Sequence, residues 1–270
     1  RQFQAENPRL FLVYLLPSML VILSGFLNPL ERINESILEQ SFLSVFGHVF
    51  QAYIFPLLVS FIGAILLTSS VYTTLKLIKN PDTELSVKNS LTLFNEEHFS
   101  QTFLTLLLKR FYLFLWSIPS LLGIYLLFYS SFLAKKFVAI HPEFPNLDLT
   151  SIETERFLMT FGLYFLASIL LMIVGNSLYI PQYYAYSQVE FLLCDTLDLG
   201  QAKPGQILKT SHFLMKGYKF QRFILDLQLL PWYFLNWITF GIASFSLLPY
   251  IQINKMIFYR AVLARKRPKA

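Results

Sequence analysis

Long apolar stretches alternate with short polar segments along the whole chain. A helix needs about 20 predominantly apolar residues to cross a hydrocarbon core about 30 Å thick. Stretches of this kind lie at residues 10–30, 51–75, 111–134, 157–189, 220–238 and 243–263. The pattern therefore predicts an all-α fold, a polytopic transmembrane helical bundle of about six spans that forms a single integral membrane domain over residues 1–270.

The fourth apolar stretch is longer than one straight span requires. Gly175 and Asn176 lie towards its far end, and Pro181 follows them. Proline removes a backbone hydrogen bond from a helix and kinks it. We therefore expect a kink or a break here, and the sequence leaves open whether this stretch is one kinked helix or two pieces.

Two polar segments have the pattern of helices that lie on the membrane surface. Residues 84–101 are polar with a few apolar positions and favour a short interfacial helix. In residues 204–216 the apolar side chains lie mainly on one side, Pro204 suits the first helical turn, and Gly217 suits the C-terminal cap. Basic residues near this helix and in the C-terminal tail are expected to contact anionic lipid head groups. They are Lys209, Lys216, Lys219, Arg265, Lys266 and Arg267.

The distribution of positive charge distinguishes six spans from five. Cytoplasmic loops of membrane proteins carry an excess of Lys and Arg. With the N-terminus inside, six spans place eighteen of these residues on the inner side and four on the outer side, whereas five spans place twelve and ten. The charge pattern therefore favours six spans, with both termini in the cytoplasm.

Composition excludes several classes of protein. The chain is 55% hydrophobic and only 14% charged, whereas soluble domains carry about 25% charged residues. Membrane topology explains the formal net charge of +6, so we expect no nucleic-acid partner. The single cysteine, Cys194, excludes an internal disulfide framework, and the four scattered histidines predict no metal site. No phosphate-binding glycine loop is present, so we do not expect ATP hydrolysis. We also expect no cofactor.

Five polar side chains within the apolar stretches are candidate functional groups. Arg222 and Asp226 are four residues apart and can pair along one helical face, and Arg222 also suits contact with head groups. Gln228 lies in the same stretch but points elsewhere. A membrane carboxylate often marks a transport pathway, although Asp226 is close enough to the start of the helix to lie among head groups. Asn176 and Asn236 favour hydrogen bonds between helices.

A set of aromatic, proline, glycine and polar positions carries a family resemblance. In the middle of the chain these are Trp116 and Pro119. Further along, the set comprises Pro181, Asp195, Ser211, Met215, Gly217, Trp232, Gly241, Pro249 and Tyr250. With these residues the chain resembles the bacterial integral membrane family catalogued as domain of unknown function 975. It is also distantly similar to the membrane domain attached to some glycerophosphodiester phosphodiesterases.

The resemblance implies a polytopic helical fold in the bacterial cell membrane and no established reaction. Two features depart from the family pattern. Residues 121–176 intervene where the family usually continues directly to its next motif. Asp226 and Gln228 lie where an uncharged pattern is more usual.

Three functions are compatible with these features. The first is a non-enzymatic accessory protein that binds lipids, another membrane protein or a second copy of itself, and supports envelope homeostasis or transport. The second is a small transporter or channel with a polar site near the inner end of the fifth span, at Arg222 and Asp226. The third is an intramembrane enzyme that acts on lipids. We rank it last, because the sequence predicts no catalytic residue.

Overall fold

The computed structural model describes residues 7–26, 55–141, 152–197, 199–200 and 203–266. Every regular element in these ranges is helical, which confirms the predicted all-α fold. The α-helices are α1 (Leu10–Val13), α2 (Leu15–Phe26), α3 (Phe55–Lys79), α4 (Glu96–Ile140), α5 (Ile152–Ala185), α6 (Val189–Leu197), α7 (Pro204–Leu214), α8 (Lys219–Ile238) and α9 (Ser244–Lys266). A 3-10 helix, Val87–Phe94, lies between α3 and α4.

Among the described residues, three helical stretches are long and apolar enough to cross a membrane: Phe55–Lys79, Glu97–Ile140 and Ile152–Leu197. They are consistent with a membrane protein, but the predicted count of about six spans is not confirmed. Helices α8 and α9 coincide closely with the predicted spans 220–238 and 243–263, yet both carry charged side chains that lower their apolarity. The ends of the first two predicted spans, residues 27–30 and 51–54, lie outside the described ranges.

We expected the polar segment 84–101 to form a separate interfacial helix, but it does not. It contains the 3-10 helix and then the first turns of α4, which continues into the predicted third span as one helix of 45 residues. The carbonyl of Asn95 accepts hydrogen bonds from the backbone N–H groups of His98 (3.2 Å) and Phe99 (2.9 Å), so α4 begins there. The polar and apolar parts form a single helix because the sequence that joins them contains no glycine or proline.

Helix α5 is continuous, so the break considered near Gly175, Asn176 and Pro181 is absent. The helix ends only at Ala185, four residues after the proline. Gly175 has a different role, because a Cβ at this position would overlap the backbone nitrogen and Oγ of Ser120 in α4. Small residues at such contacts let two helical backbones approach closely, so this glycine marks a helix–helix contact.

Contacts divide the chain into two compact units. Unit 1 comprises the described parts of residues 1–108 and 185–270, and unit 2 comprises those of residues 109–184. Each unit has its own internal packing and is described separately below. The single domain over the whole chain stays a prediction.

Unit 2 is an antiparallel helical hairpin formed by α4 and α5. As residue numbers rise along α4, those of the facing residues on α5 fall. The facing pairs are Gly123 with Met172, Tyr129 with Tyr164 (5.1 Å between ring centroids) and Phe137 with Phe157 (3.9 Å). The segment 121–176, which departs from the family pattern, begins and ends where Ser120 meets Gly175. It therefore extends the hairpin beyond this contact.

Unit 1 is built around α3 and α9. Helix α3 packs against α2, the 3-10 helix and α6, and α9 packs against α1, α2, α7 and α8. The largest buried apolar cluster joins α3, the 3-10 helix, α6, α7 and α9, and includes the fully buried Leu93, Leu193, Met256 and Tyr259. This cluster adjoins the candidate functional site.

Hydroxyl groups replace a missing backbone hydrogen bond at the turn between α1 and α2. Pro17 has no N–H group and cannot donate to the Val13 carbonyl four residues earlier. The Ser70 hydroxyl of α3 donates to this carbonyl at 2.6 Å, and the Ser90 hydroxyl of the 3-10 helix donates to it as well. Tyr14 lies between α1 and α2, so the single first span predicted from the sequence is interrupted here.

Candidate functional site

A cavity of about 760 Å³ lies in unit 1 where α3, α6 and α9 approach their C-terminal ends, and we call it the end cavity. Its wall contains four leucines together with charged and aromatic side chains. They are Leu75, Leu192, Leu199, Leu263, Lys79, Asp195, Tyr259 and Arg260. Cations are favoured at helix C-terminal ends, because the unpaired carbonyl groups there carry partial negative charge. Lys79, the last residue of α3, follows this rule, whereas Arg260 lies more than one turn before the end of α9.

Asp195 connects three helices at the end cavity. Its Oδ1 lies 3.0 Å from Nζ of Lys79, the last residue of α3. Its Oδ2 accepts a hydrogen bond of 2.7 Å from the hydroxyl of Tyr259 in α9. The Tyr259 ring is buried and stacks on Phe191, with 5.4 Å between ring centroids. Both carboxylate oxygens thus have a partner, and the carboxylate holds α3, α6 and α9 together.

The charges of the end cavity do not balance. Lys79 and Arg260 contribute two positive charges, and Asp195 contributes one negative charge. Lys79 is half-exposed although it pairs with Asp195, and Arg260 is exposed. The leucines line the remaining wall. The cavity therefore combines an apolar interior with an accessible excess of positive charge, which suits an amphiphilic anion.

The amphipathic helix predicted at 204–216 is present as α7, with Pro204 in its first turn. Its buried side chains lie on one face and are Ile207, Leu208, Ser211 and Leu214. Gly217 has a φ of +88°, the left-handed conformation that glycine adopts without strain after a helix. The helix packs against α6 and α9 of unit 1.

The basic residues expected to contact head groups differ in their surroundings. Lys209, Lys216 and Arg265 are exposed, and Lys219 is half-buried. Lys266 is held by the protein itself, because its Nζ donates to the Phe213 carbonyl at 2.6 Å. Arg267 lies outside the described residues. Contact with lipid stays a prediction for all of them.

The predicted pair of Arg222 and Asp226 is formed. Nη1 of Arg222 lies 3.2 Å from Oδ1 of Asp226, and the arginine side chain is only 5% exposed. The guanidinium lies 5.9 Å from the centroid of the Phe258 ring in α9. Arg222 is thus directed into unit 1, on the face of α8 that packs on α9. Its contact with head groups stays a prediction.

The remaining polar candidates do not contact Arg222 or Asp226. Gln228 is exposed on α8, as its spacing predicts. Asn176 is exposed on unit 2. The side-chain oxygen of Asn236 is buried and has no hydrogen-bond partner within the described part of the chain. Hydrogen bonds between helices from the two asparagines stay a prediction.

Several motif residues of the family resemblance have structural contacts in unit 1. The Ser211 hydroxyl donates to the Ala185 carbonyl at 2.8 Å, and Met215 is fully buried. Trp232 packs edge-on against Tyr250, with 5.5 Å between ring centroids. Pro249 is buried within α9. These residues fix α7, α8 and α9 within unit 1 and do not line the cavity.

Four further motif residues lie at helix ends or within helices. Gly241, between α8 and α9, has a φ of +85°, and a Cβ there would lie 3.2 Å from Cγ1 of Ile22. In unit 2, Pro119 and Pro181 lie inside α4 and α5, and Trp116 is exposed on α4. Asp195 is the motif residue that reaches the end cavity and bears a charge.

Sequence analysis missed Lys79, Arg260 and Lys255 as functional candidates. Lys79 follows the predicted span 51–75, and its partner Asp195 lies 116 positions away in the sequence. Lys255 lies in the middle of α9, with its Nζ 5.7 Å from the centroid of the Tyr233 ring. A lysine inside an otherwise apolar stretch is the signal that would have identified this residue.

The geometry defines a class of protein: an all-helical chain with three stretches apolar enough to cross a membrane and an amphiphilic cavity at the basic ends of its helices. Residues 1–266 match the family described as "Protein of unknown function (DUF975)", and the chain belongs to this family. No curated protein and no solved structure matches the chain. The similarity to the membrane domain of glycerophosphodiester phosphodiesterases is therefore not shown.

Proposed function

We propose that this protein is a non-enzymatic integral membrane protein that binds anionic phospholipid in the end cavity. In this proposal it is an accessory component of the bacterial cell membrane that supports envelope homeostasis or transport by another membrane protein. The observation that carries the proposal is the combination of leucine walls with Lys79 and Arg260 in one cavity. Acyl chains match apolar walls, and a phosphate group matches the two cations.

The surroundings of the cavity favour an anionic lipid over a neutral one. Asp195 compensates Lys79, so Arg260 supplies the excess positive charge. The exposed Lys209 and Lys216 on and after α7 add positive charge to unit 1. Each Lys or Arg near a membrane surface contributes about 1 kcal/mol of attraction to anionic lipid.

Native mass spectrometry of the full chain, released from nanodiscs of phosphatidylglycerol and phosphatidylcholine, tests this proposal. We expect retained phosphatidylglycerol. We expect Arg260→Gln to lower its retention about fivefold, the equivalent of about 1 kcal/mol, and Lys79→Gln with Arg260→Gln to lower it further. The matched control is Lys135→Gln with Lys136→Gln, which removes two exposed lysines of unit 2.

The outcomes separate a cavity site from general charge attraction. Loss of phosphatidylglycerol in the Arg260 variant, with retention in the unit 2 control, supports the proposal. Equal losses in both variants, or equal retention of the two lipids by the unmodified chain, contradicts it. A protein retained at one copy per chain would favour partner binding instead.

Transport is the second candidate function, and the ion pair between the buried Arg222 and the partly buried Asp226 favours it. A buried carboxylate in a membrane protein often belongs to a pathway or a proton relay. Flux of solutes into proteoliposomes that the Asp226→Asn substitution abolishes would support transport. Equal flux in the variant would exclude Asp226 from the mechanism.

A further inference from the structure

Helices α8 and α9 of unit 1 form an antiparallel pair, the α8–α9 hairpin. The guanidinium of Arg222, near the start of α8, lies 5.9 Å from the centroid of the Phe258 ring in α9. Further along α8, Trp232 faces Tyr250, which comes earlier in α9. The chain reverses direction around residues 237–242, which we call the hairpin tip. The start of α8 and the end of α9 therefore lie at the same end of the hairpin, opposite the tip.

The hairpin tip exposes large apolar side chains. The exposed fractions are 74% for Trp237, 53% for Ile238, 77% for Phe240 and 65% for Ile242. Phe240 also has a φ of +50°, in the left-handed region that residues other than glycine adopt at a cost. A strained residue with so much of its ring exposed gains little from contacts within the chain. Exposed apolar clusters mark contact with another molecule or with a membrane, so the tip suits an apolar environment outside the chain.

The backbone N–H groups of the hairpin tip have acceptors within the protein. Residues 239–244 all donate within the tip and the last turn of α8, the N–H of Ala243 to the Thr239 hydroxyl at 3.2 Å and the others to carbonyls. The Thr239 hydroxyl itself donates to the Leu235 carbonyl at 3.0 Å. The side-chain oxygen of Asn236 is buried and does not face the outside. Backbone at membrane depth is tolerated when the protein satisfies its polar groups, so the tip is compatible with hydrocarbon.

The apolar part of the α8–α9 hairpin is about half as long as a complete membrane crossing. The last exposed amide or charged side chain of α8 is Gln228, ten residues before the helix ends at Ile238 and so about 15 Å from it. Helix α9 begins at Ser244 and reaches its first charged residue, Lys255, after eleven residues or about 16 Å. A complete crossing needs about 20 apolar residues for about 30 Å, and apolar segments of 10–14 residues are typical of re-entrant structures.

We propose that α8 and α9 form a re-entrant hairpin, which enters the bilayer from one side, places its tip among the acyl chains near the midplane and returns to the same side. This topology replaces the two complete spans predicted from the sequence at 220–238 and 243–263. The distribution of positive charge fits both topologies, because both leave the start of α8 and the end of α9 on one side. The tip and the end cavity lie at opposite ends of α9, so this inference does not depend on lipid binding in the cavity.

The depth of Trp237 in the bilayer distinguishes the two topologies. The chain has three tryptophans, and Trp116→Phe with Trp232→Phe leaves Trp237 as the only one. Bromine atoms quench tryptophan fluorescence at close range, so the full chain is reconstituted in phosphatidylcholine brominated at one chosen depth of its acyl chains. The re-entrant hairpin predicts that bromines near the chain ends quench Trp237 most strongly. Two complete spans predict the strongest quenching by bromines near the glycerol.

Phe220→Trp, with all three native tryptophans changed to phenylalanine, is the matched control. Phe220 is exposed and is the second residue of α8, so it lies close to the head groups in both topologies. Bromines near the glycerol are expected to quench this tryptophan most strongly. Thermal unfolding in detergent establishes that each variant is folded.

Thiol labelling is a second measurement, which keeps the native tryptophans. Phe240→Cys adds a thiol at the hairpin tip, whereas the native Cys194 is buried. The re-entrant hairpin predicts that a membrane-impermeant maleimide does not label the tip in intact or permeabilised vesicles and labels it only after denaturation. Lys136→Cys, at an exposed position of unit 2 after the apolar stretch 111–134, is the control and is expected to be labelled in permeabilised vesicles.

The outcomes decide between a tip in the hydrocarbon and a tip at a membrane surface. Deep quenching of Trp237, with shallow quenching of the Phe220→Trp control and protection of Phe240→Cys, supports the re-entrant hairpin. Strongest quenching of Trp237 by bromines near the glycerol overturns the proposal. Labelling of Phe240→Cys in vesicles as readily as Lys136→Cys also overturns it.

Discussion

The two units bury their apolar side chains to very different extents. In α3 of unit 1, buried residues make up 39% of the most apolar 18-residue stretch, whereas in the stretches that contain α4 and α5 they make up 6%. Unit 1 also encloses hydroxyl groups and ion pairs, including Ser70, Thr74 and Arg222. Unit 2 is a two-helix hairpin with apolar side chains on its outside, such as Phe128, 72% exposed, and Leu163, 67% exposed.

This difference shows which of the two units encloses an apolar core of its own. A two-helix hairpin cannot surround its apolar side chains, so those of unit 2 need lipid or another apolar covering. Unit 1 has enough helices to enclose a core and leaves the end cavity open. We therefore assign the proposed lipid binding to unit 1, whereas the apolar surface of unit 2 suits a membrane environment.

The largest effect is expected from truncating a leucine in unit 1. Leu193 is fully buried in α6, and Leu193→Ala is expected to lower the free energy of unfolding by about 2–5 kcal/mol, because it leaves a cavity. Leu166→Ala, at a position of unit 2 that is 66% exposed, is the matched control and should cost under about 0.5 kcal/mol. Denaturant unfolding of the full chain in detergent measures both, and equal losses would contradict the comparison.

A smaller effect is expected where the two helices of unit 2 touch. A Cβ at Gly175 would overlap Ser120, so Gly175→Ala is expected to cost about 1–3 kcal/mol through overpacking. Gly162→Ala, with no atom within 4 Å of its added Cβ, is expected to be neutral or stabilising because alanine favours helix. Thermal unfolding compares the two variants, and a neutral Gly175→Ala would mean that the hairpin is not closely packed at this point.

A comparable effect is expected from removing the hydroxyls that satisfy the Val13 carbonyl. Ser70→Ala with Ser90→Ala leaves this buried acceptor without its two side-chain donors. The free energy of unfolding is expected to fall by about 1–3 kcal/mol, the usual cost of a buried polar group without a hydrogen-bond partner. Ser131→Ala is the control, because its exposed hydroxyl bonds only within α4. An unchanged melting temperature in the double variant would exclude this role for the serines.

The smallest effect is expected at the end cavity. Tyr259→Phe removes the hydrogen bond to Asp195 and keeps the buried ring. We therefore expect the free energy of unfolding to fall by about 1 kcal/mol. Tyr125→Phe, at an exposed position of unit 2, should leave the melting temperature unchanged. A much larger fall in the free energy of unfolding of Tyr259→Phe would contradict this expectation. It would show that the Asp195 carboxylate stabilises the junction of α3, α6 and α9 by more than one hydrogen bond.

Features with local causes were predictable from the sequence. Pro204 and Gly217 have the positions in α7 and after it that their conformational preferences predict. The spacing of Arg222 and Asp226 predicts their pairing, which the helix realises. Each of these predictions depends on neighbours within a few residues.

Features that depend on distant partners were not predictable. Gly175 has the sequence signal of a helix break, yet its role depends on Ser120 in another helix. The family resemblance points to Asp195, whereas its partner Lys79 is identified only when α3 and α6 meet. Single-sequence patterns carry no information on such contacts.

The most direct test of the account is cross-linking of the full chain in membranes with a photoactivatable phosphatidylglycerol, followed by peptide mapping. Binding in the end cavity predicts cross-links concentrated in peptides that contain Leu192 and Leu263, and their loss in Arg260→Gln. Cross-links spread over residues 109–184, with no enrichment at the cavity and no change in the variant, would contradict it.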